Sequence, residues 1–320
     1  MNQSVFDLLI AHISRFAFDS YLRVCVHLAL PEGQEVVSAE RYGNSAWAST
    51  ASITVRDSDG TLHDYFVKVV KGKLAGPRVL GEFSCMSALY KTMPSIVPAP
   101  RGSGKCLDSD DYFFLCDYLD IDHRQPDPMR LAESISELHR ISVSPTGQFG
   151  FHVTPYDGKL PLVAKWDSNW VSFYGKLLEG VYKLDIQING HRKRLDDAMK
   201  ITLDKVVPRL LNRLYEEGRT VKPCLIHGDL WEEKIGTNPP MGNIYIFDSC
   251  AYYAHHEPVK EYDDRNRLYS LKEKIMYSAH VPGTKAREQA LEDMLYLIRK
   301  FVNQAWPSDR DDYVNMRDES

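Results

Sequence analysis

Two short apolar runs in the second half of the chain each deliver an aspartate at their end. The first run leads through His227 and Gly228 to Asp229, and the second, residues 244–247, leads directly to Asp248. The linker between them, 238–243, is rich in proline, glycine and asparagine, which favour turns. This pattern predicts two adjacent strands whose carboxyl ends hold the two aspartates close together.

A pair of carboxylates on neighbouring loops suits a particular chemistry. It fits an enzyme that positions a hydroxyl nucleophile and binds Mg²⁺ on a nucleotide phosphate. The alternative is that both aspartates cap turns, where this residue is common. For Asp248 alone we favour the capping interpretation. The two together, with His-Gly before Asp229 and Ile-Phe before Asp248, favour catalysis.

A lysine interrupts an apolar strand in the first half of the chain. Residues 65–70 read Tyr-Phe-Val-Lys-Val-Val, which places Lys68 among side chains expected to be buried. A buried ammonium group is costly unless an anion meets it. Glu82 borders the apolar stripe of the next helix, so it points towards the sheet. With the turn at Gly43, this pair is typical of sites that hold ATP phosphates. The alternative is a lysine that extends to solvent.

Strands and helices follow one another in a segregated order. Strands are predicted at 35–39, 51–56, 65–70 and 111–119. The second half is predicted to be mainly helical, with one helix capped by Asp127. At ~150 residues per domain, 320 residues predict two parts. We assign 1–116 to an N-terminal part with the nucleotide-binding sheet, and 117–320 to a helical part with the catalytic loop and acceptor site.

Composition narrows the classes of protein to which the chain can belong. The net charge of −5 gives no reason to expect nucleic acid or an anionic membrane surface as partner. No apolar run approaches the ~18 residues of a membrane helix, and the first residues lack the features of a signal peptide. The six cysteines are scattered without a Cys-x-x-Cys pair, which argues against zinc or a disulfide framework and favours the cytoplasm.

At these residues the chain resembles the fructosamine-3-kinase (ketosamine-3-kinase) family, relatives of the aminoglycoside phosphotransferases with a protein-kinase-like fold. The resemblance extends from about Gly43 to Lys300, and its most specific motif is His-Gly-Asp-Leu-Trp at 227–231. It is carried by the following stretches: 65–69, Glu82, 113–118, 131–139, 149–151, 227–231 and 247–248. The resemblance implies an α+β, bilobal, kinase-like fold, with a small antiparallel sheet in the N-lobe and a mainly helical C-lobe.

The resemblance also implies an activity and a role for each matching residue. The activity is ATP-dependent phosphorylation of a sugar hydroxyl on a ketosamine, free or bound to a protein, which makes the adduct leave and so repairs the protein. Asp229 would accept the proton of the hydroxyl, and Lys68, held by Glu82, would bind nucleotide phosphates. Asp117, Tyr118 and Leu119 would hold adenine. Asp248 would bind Mg²⁺.

Two departures from the family's pattern lie close to these residues. The family carries a metal-binding asparagine five positions after the catalytic aspartate, and here that position is Lys234. An ammonium group offers only donors, so it cannot bind Mg²⁺. It is instead expected to pair with Asp229 or Asp248 in the metal's place, with Glu233 as a candidate compensating ligand. In addition, a helical stretch that family members carry after Glu257 is missing.

These departures leave three hypotheses open. The first is an active ketosamine kinase. The second is a pseudokinase that has kept the fold but lost its handling of Mg²⁺, which Lys234 and the shortened segment favour. The third is a kinase of the aminoglycoside-phosphotransferase type that acts on another small metabolite. The sequence does not indicate the oligomeric state.

Overall fold

The computed structural model describes residue 26 and residues 29–43, 45–107, 109–122, 126–239, 242–255 and 260–302. The chain forms two compact units. Unit 1 comprises Met1–Trp166 and Pro223–Ala254, and unit 2 comprises Asp167–Lys222 and His255–Ser320. The assignment of 1–116 and 117–320 to two functional parts stays a prediction. The segment after Glu257, residues 256–259, lies outside the described residues.

The first part of unit 1 is a five-stranded antiparallel sheet. Its strands, in the spatial order β1-β2-β3-β5-β4, are β1 Glu35–Arg41, β2 Ser49–Arg56, β3 Leu62–Val70, β4 Pro100–Lys105 and β5 Tyr112–Asp117. Alternate residues of β3 are fully buried at Val67 and Val69, because successive side chains of a strand point to opposite faces. Lys68 therefore lies on the other face of β3. The four predicted strands are confirmed.

One long helix, α1 (Ala75–Thr92), packs against β4 and β5. Its buried stripe includes Val79 and Met86, as the helical spacing predicts. Gly81 lets another segment of unit 1 approach this helix closely, since a Cβ there would lie 2.8 Å from the backbone oxygen of Thr154. The helix and the segment after Thr154 are thus held against each other.

The remaining described residues of unit 1 include one helix, three short antiparallel strand pairs and the 3₁₀ turns Pro94–Ile96 and Glu232–Lys234. Helix α2 (Pro128–Ile141) begins at Asp127, whose Oδ1 accepts from the backbone nitrogens of Met129 and Arg130 at 3.0 Å each, which confirms the predicted cap. The short strands are β6 Tyr156–Asp157, β7 Leu160–Pro161, β8 Cys224–Ile226, β9 Ile235–Thr237, β10 Ile244–Ile246 and β11 Tyr252–Ala254.

The prediction that the two strands before the aspartates are neighbours is wrong. Strand β8, which precedes Asp229, pairs with β11, whereas β10, which precedes Asp248, pairs with β9. Apolar runs of three or four residues indicate strands but carry no information about the partner strand. The chain between the two aspartates instead forms its own hairpin, β9–β10.

Unit 2 is helical. Its elements are α3 Trp170–Asn189, α4 Lys193–Ile201, a π-helical turn Thr202–Val206, α5 Val207–Leu211, a 3₁₀ segment Asn212–Gly218, α6 Tyr262–His280 and α7 Ala286–Val302. The π-helical turn lies directly before the segment that contains Pro208, which lacks a backbone N–H. With the sheet preceding most of the helices, the fold class is α+β, as predicted. None of the helices in the described residues combines the length and apolar character needed to cross a bilayer.

The cysteines of the described residues are mostly free. Cys85, Cys116, Cys224 and Cys250 are buried thiols. Cys106 is disulfide-bonded. The sequence argues against a disulfide framework, and one bond at Cys106 does not make such a framework.

Candidate functional site

Lys68 is held between two carboxylates of unit 1. Its Nζ donates to Glu82 Oε1 at 2.7 Å and to Asp248 Oδ1. The side chains of Lys68 and Glu82 are only 12% and 15% exposed, so the ammonium group is compensated in a largely dry environment. The structure thus brings together the strand lysine, the helix glutamate and the second of the two aspartates. The alternative of a lysine extending to solvent is excluded.

The His227-Gly228-Asp229 turn is built around a glycine. Gly228 has a φ of +85°, and a Cβ at this position would lie 2.3 Å from the backbone oxygen of Cys250. Only glycine tolerates both the left-handed conformation and this approach. The backbone nitrogen of Cys250 in turn donates to the oxygen of His227 at 3.1 Å. The two aspartate-bearing loops therefore lie in direct contact although the strands before them are not paired.

The side chain of His227 forms a second hydrogen bond between these two loops. Its Nε2 lies 2.9 Å from the backbone oxygen of Phe247, so this nitrogen carries the proton and donates. The side chain is buried, and burial lowers the pKa of His227 to about 4, with the nearby Lys234 ammonium acting in the same direction. The imidazole is neutral near pH 7. It acts as a structural cross-link between the residues before Asp229 and those before Asp248.

Lys234 connects the two aspartates. Its Nζ donates to Asp229 Oδ2, donates to the backbone oxygen of Asp248 at 2.9 Å, and lies 3.1 Å from Asp248 Oδ2. The pairing expected at this departure from the family's pattern is thus present with both aspartates at once. Glu233, the candidate compensating ligand, is exposed.

The charges in this cluster stabilise one another. Burial alone would raise the pKa of Asp248, but the ammonium groups of Lys68 and Lys234 hold it well below its ordinary value. Burial would likewise lower the pKa of Lys234, and Asp248 and Asp229 raise it above its ordinary value instead. Burial raises the pKa of Glu82, which the Lys68 ammonium opposes. Asp248 is therefore a carboxylate and both lysines are ammonium ions near neutral pH.

Mg²⁺ does not fit these residues. The ion needs oxygen ligands at about 2.1 Å in an octahedral arrangement. Lys234 stands where the family's pattern has an amide oxygen, and its Nζ lies 3.1 Å from Asp248 Oδ2. An ion bound to that oxygen would lie no more than about 5 Å from the ammonium group. The two would repel by about 6 kcal/mol at an effective dielectric constant of ~20.

The residues at the end of β5 offer fewer free hydrogen-bond donors for adenine than the sequence predicts. The backbone nitrogen of Asp117 donates to Ala99 at 3.0 Å, and that of Tyr118 donates to Asp64 at 3.2 Å. The Asp117 carboxylate is bound by the guanidinium group of Arg101. Among the described residues, the backbone N–H of Leu119 has no partner. Of the three residues predicted to hold adenine, only Leu119 therefore presents an unused backbone donor.

Arg78 is a residue that sequence reasoning missed. From α1 its Nε donates to the backbone oxygen of Gly158 at 2.9 Å, and its Nη2 donates to that of Trp47 at 3.4 Å. Lys159 Nζ lies 4.2 Å from the centre of the Trp47 ring, a cation–π contact. These contacts join Trp47, between β1 and β2, to the β6–β7 hairpin. No short motif in the sequence indicates that this arginine reaches both segments.

The same hairpin places a further carboxylate near the His227-Gly228-Asp229 turn. A carboxylate oxygen of Asp157 lies within 4.8 Å of one of Asp229. Asp157 follows no recognisable motif, and its only sequence signal is the Asp-Gly turn at 157–158.

The fold and this cluster together define a class of protein. An antiparallel sheet carrying a buried lysine paired to a helix glutamate, followed by a His-Gly-Asp loop and helices, is the arrangement of kinase-like phosphotransferases. The model of the fructosamine kinase family matches residues 44–263, well over half of the chain. The chain belongs to the fructosamine kinase family.

Comparison with individual proteins gives the same result. The chain is 28% identical over 193 residues to the chloroplastic protein-ribulosamine 3-kinase of Oryza sativa subsp. indica, covering 60% of this chain and 54% of that protein. The chain thus spans about half the length of this relative. It is 26% identical over 266 residues to the ketosamine-3-kinase of Mus musculus, covering 74% of this chain and 81% of that protein.

Solved structures show the same fold at lower sequence identity. The crystal structure of a candidate fructosamine-3-kinase from Thermobifida fusca aligns with a TM-score of 0.66 and 18% identity, over 86% of this chain and 98% of that one. A second candidate fructosamine-3-kinase, from Haemophilus somnus, aligns with a TM-score of 0.62 and 17% identity, over 88% of this chain and 97% of that one. At these identities the likeness establishes the kinase-like fold.

Proposed function

We propose that the protein is an ATP-dependent kinase that phosphorylates a sugar hydroxyl of a ketosamine. The observation that carries the proposal is the meeting of Asp229, Asp248 and Lys68 in one cluster of unit 1. Membership of the fructosamine kinase family and the names of the relatives support the choice of acceptor. The acceptor is a ketosamine, either free or attached to a protein amine.

Each residue has a part in this reaction. The ketosamine hydroxyl attacks the γ-phosphorus of ATP, the bond from that phosphorus to the bridging oxygen breaks, and ADP leaves. Asp229 accepts the hydroxyl proton at Oδ1, which has no hydrogen-bond partner among the described residues, while Oδ2 is bound by Lys234. Lys68, oriented by Glu82, binds phosphate oxygens. The Leu119 backbone N–H is the proposed adenine contact.

Magnesium is not assigned a step in this reaction, because Lys234 stands in its place. Asp248, for which Mg²⁺ binding was expected, instead anchors Lys68 and Lys234. Its role in the proposed reaction is to hold the Lys68 ammonium group, which has a donor left for a phosphate oxygen, and the positive charge of Lys234 beside it.

A second function is favoured by the same lysine. A protein that binds the nucleotide without turning it over would keep Lys68, Glu82 and Leu119 in use, whereas the ammonium group on Asp229 would block the approach of the hydroxyl. This is the pseudokinase alternative. Only a measurement of phosphoryl transfer separates it from the first proposal.

The experiment is incubation of the purified protein with γ-labelled ATP and ribulosyl-lysine or fructosyl-lysine, in buffers with and without Mg²⁺. The kinase proposal requires labelled ketosamine phosphate from the wild-type protein and none above background from Asp229→Asn. Glu232→Gln is the matched control, since Glu232 is exposed on the same loop. Nucleotide binding without product supports the pseudokinase, and turnover by Asp229→Asn contradicts the role of Asp229.

We also infer that the protein acts in the cytoplasm. The four buried free thiols support a reducing compartment, and the disulfide at Cys106 counts against one. Imaging of the full-length protein fused to a fluorescent tag tests this location, and an organellar signal would contradict it.

A further inference from the structure

We propose that Lys234 is a built-in replacement for the divalent cation, so that the site binds ATP without any metal. The inference rests on the proposed function for the identity of the nucleotide. It does not require turnover or a particular acceptor, and it therefore holds for the kinase and for the pseudokinase alike.

The ammonium group of Lys234 is surrounded by acceptor atoms of the two aspartates. An ammonium group has three N–H donors. The three neighbouring acceptors are Asp229 Oδ2, the backbone oxygen of Asp248 at 2.9 Å and Asp248 Oδ2 at 3.1 Å. Asp248 is the aspartate for which Mg²⁺ binding was expected and Asp229 is the proposed proton acceptor, and the lysine contacts both of them. Lys234 therefore supplies a positive charge where an ion would supply it.

The backbone holds this lysine in place as firmly as its side chain does. The nitrogen of Lys234 donates to Trp231 at 2.9 Å in a 3₁₀ turn, and its oxygen accepts from the nitrogen of Phe247 at 3.2 Å. The side chain is only 14% exposed. Lys234 is thus tied to both aspartate-bearing segments before any ligand arrives, and no rearrangement is needed to bring its charge to the site.

The charge balance of the cluster agrees with this role. The directly paired groups are the three carboxylates of Glu82, Asp229 and Asp248 and two ammonium groups, and their charges sum to −1. Without the charge of Lys234 the same groups would carry −2, which one divalent ion balances. Lys234 supplies half of that charge permanently and makes the cluster less attractive to a second cation.

Lys68 adds a phosphate contact that also needs no metal. Among the described residues it has two partners, Glu82 and Asp248, for three N–H donors. The remaining donor is available to a phosphate oxygen. Two fixed ammonium groups on either side of Asp248 are therefore the counter-charges for the triphosphate.

The test is calorimetric titration of the full-length protein with ATP, once in excess EDTA and once in excess Mg²⁺. For the wild-type protein we expect the two dissociation constants to agree within about threefold. For Lys234→Asn we expect binding in EDTA to weaken at least tenfold and Mg²⁺ to restore it. Lys193→Asn is the control for loss of a lysine, because Lys193 is 87% exposed in a helix of unit 2.

Two further measurements guard against a misfolded variant. Lys234→Arg keeps the charge and should retain ATP binding in EDTA, with a folded spectrum. Titration of the wild-type protein and ATP with Mn²⁺, followed by electron paramagnetic resonance, should show no Mn²⁺ bound beyond that on free ATP.

The outcomes separate this inference from the proposed function. Tightening of wild-type ATP binding by Mg²⁺ of tenfold or more, or a protein-bound Mn²⁺ signal, overturns the inference even if ketosamine is phosphorylated. Metal-free ATP binding without product supports the inference and overturns the kinase. If ATP binds neither in EDTA nor in Mg²⁺, both this inference and the proposed function are overturned.

Discussion

Replacement of His227 by glutamine tests how the two aspartate-bearing loops are held together. The His227 side chain is 3% exposed, and its Nε2 donates to the backbone oxygen of Phe247 at 2.9 Å. A glutamine amide can donate the same hydrogen bond but does not titrate. Any difference in pH dependence between the two proteins therefore reports the ionisation of this one imidazole.

The magnitude follows from the shift in pKa. Burial lowers the pKa of His227 to about 4, whereas a histidine in the unfolded chain titrates near ~6.5. Between these values the unfolded chain binds a proton that the folded protein does not, so the free energy of unfolding falls as the pH falls. The contribution is complete above about pH 6.5. By pH 4.5 it has decreased by about 2.5 kcal/mol.

The assay is urea unfolding of the wild-type protein and His227→Gln at pH 7.5 and pH 4.5. We expect the free energy of unfolding to fall by about 2.5 kcal/mol more in the wild-type protein than in the variant. An NMR titration of ¹³C-labelled histidine should show one imidazole, absent from the variant, that stays neutral down to about pH 4. Equal pH dependence of the two proteins, or a His227 resonance that titrates near its ordinary value, would refute the reasoning.

Two other predictions concern the loops around the site. Gly228→Ala should lower the free energy of unfolding by about 3 kcal/mol or more, because its Cβ would lie 2.3 Å from the Cys250 oxygen. Gly60→Ala is the control, with a similar φ of +89° but no atom within 4 Å, and urea unfolding should show a loss of only about 1 kcal/mol. Arg78→Ala should speed chymotryptic cleavage after Trp47 severalfold, since the guanidinium group ties that loop to the β6–β7 hairpin. Unchanged cleavage would mean that other contacts hold the loop.

The strands of the first half of the chain and its Lys68–Glu82 ion pair could be predicted from short sequence patterns. Burial of Lys68 required an anion, and the helical spacing of the next segment put Glu82 on the facing side, so the two could be predicted together. The pairing of β8 with β11 and of β10 with β9 could not. The reason is that a run of three apolar residues can pair with many different strands, so it does not specify its partner.

The sequence alone determined which chemical groups this protein has: a lysine that had to be neutralised, two aspartates after apolar runs, and a second lysine five positions after the first of these aspartates. The tertiary structure decided which of these groups meet. Lys234 reaches both Asp229 and Asp248, and Arg78 joins two segments far apart in the sequence. Charge and hydrogen-bonding capacity are properties of single residues, whereas a distance of 3 Å between residues far apart in the sequence depends on how the whole unit packs.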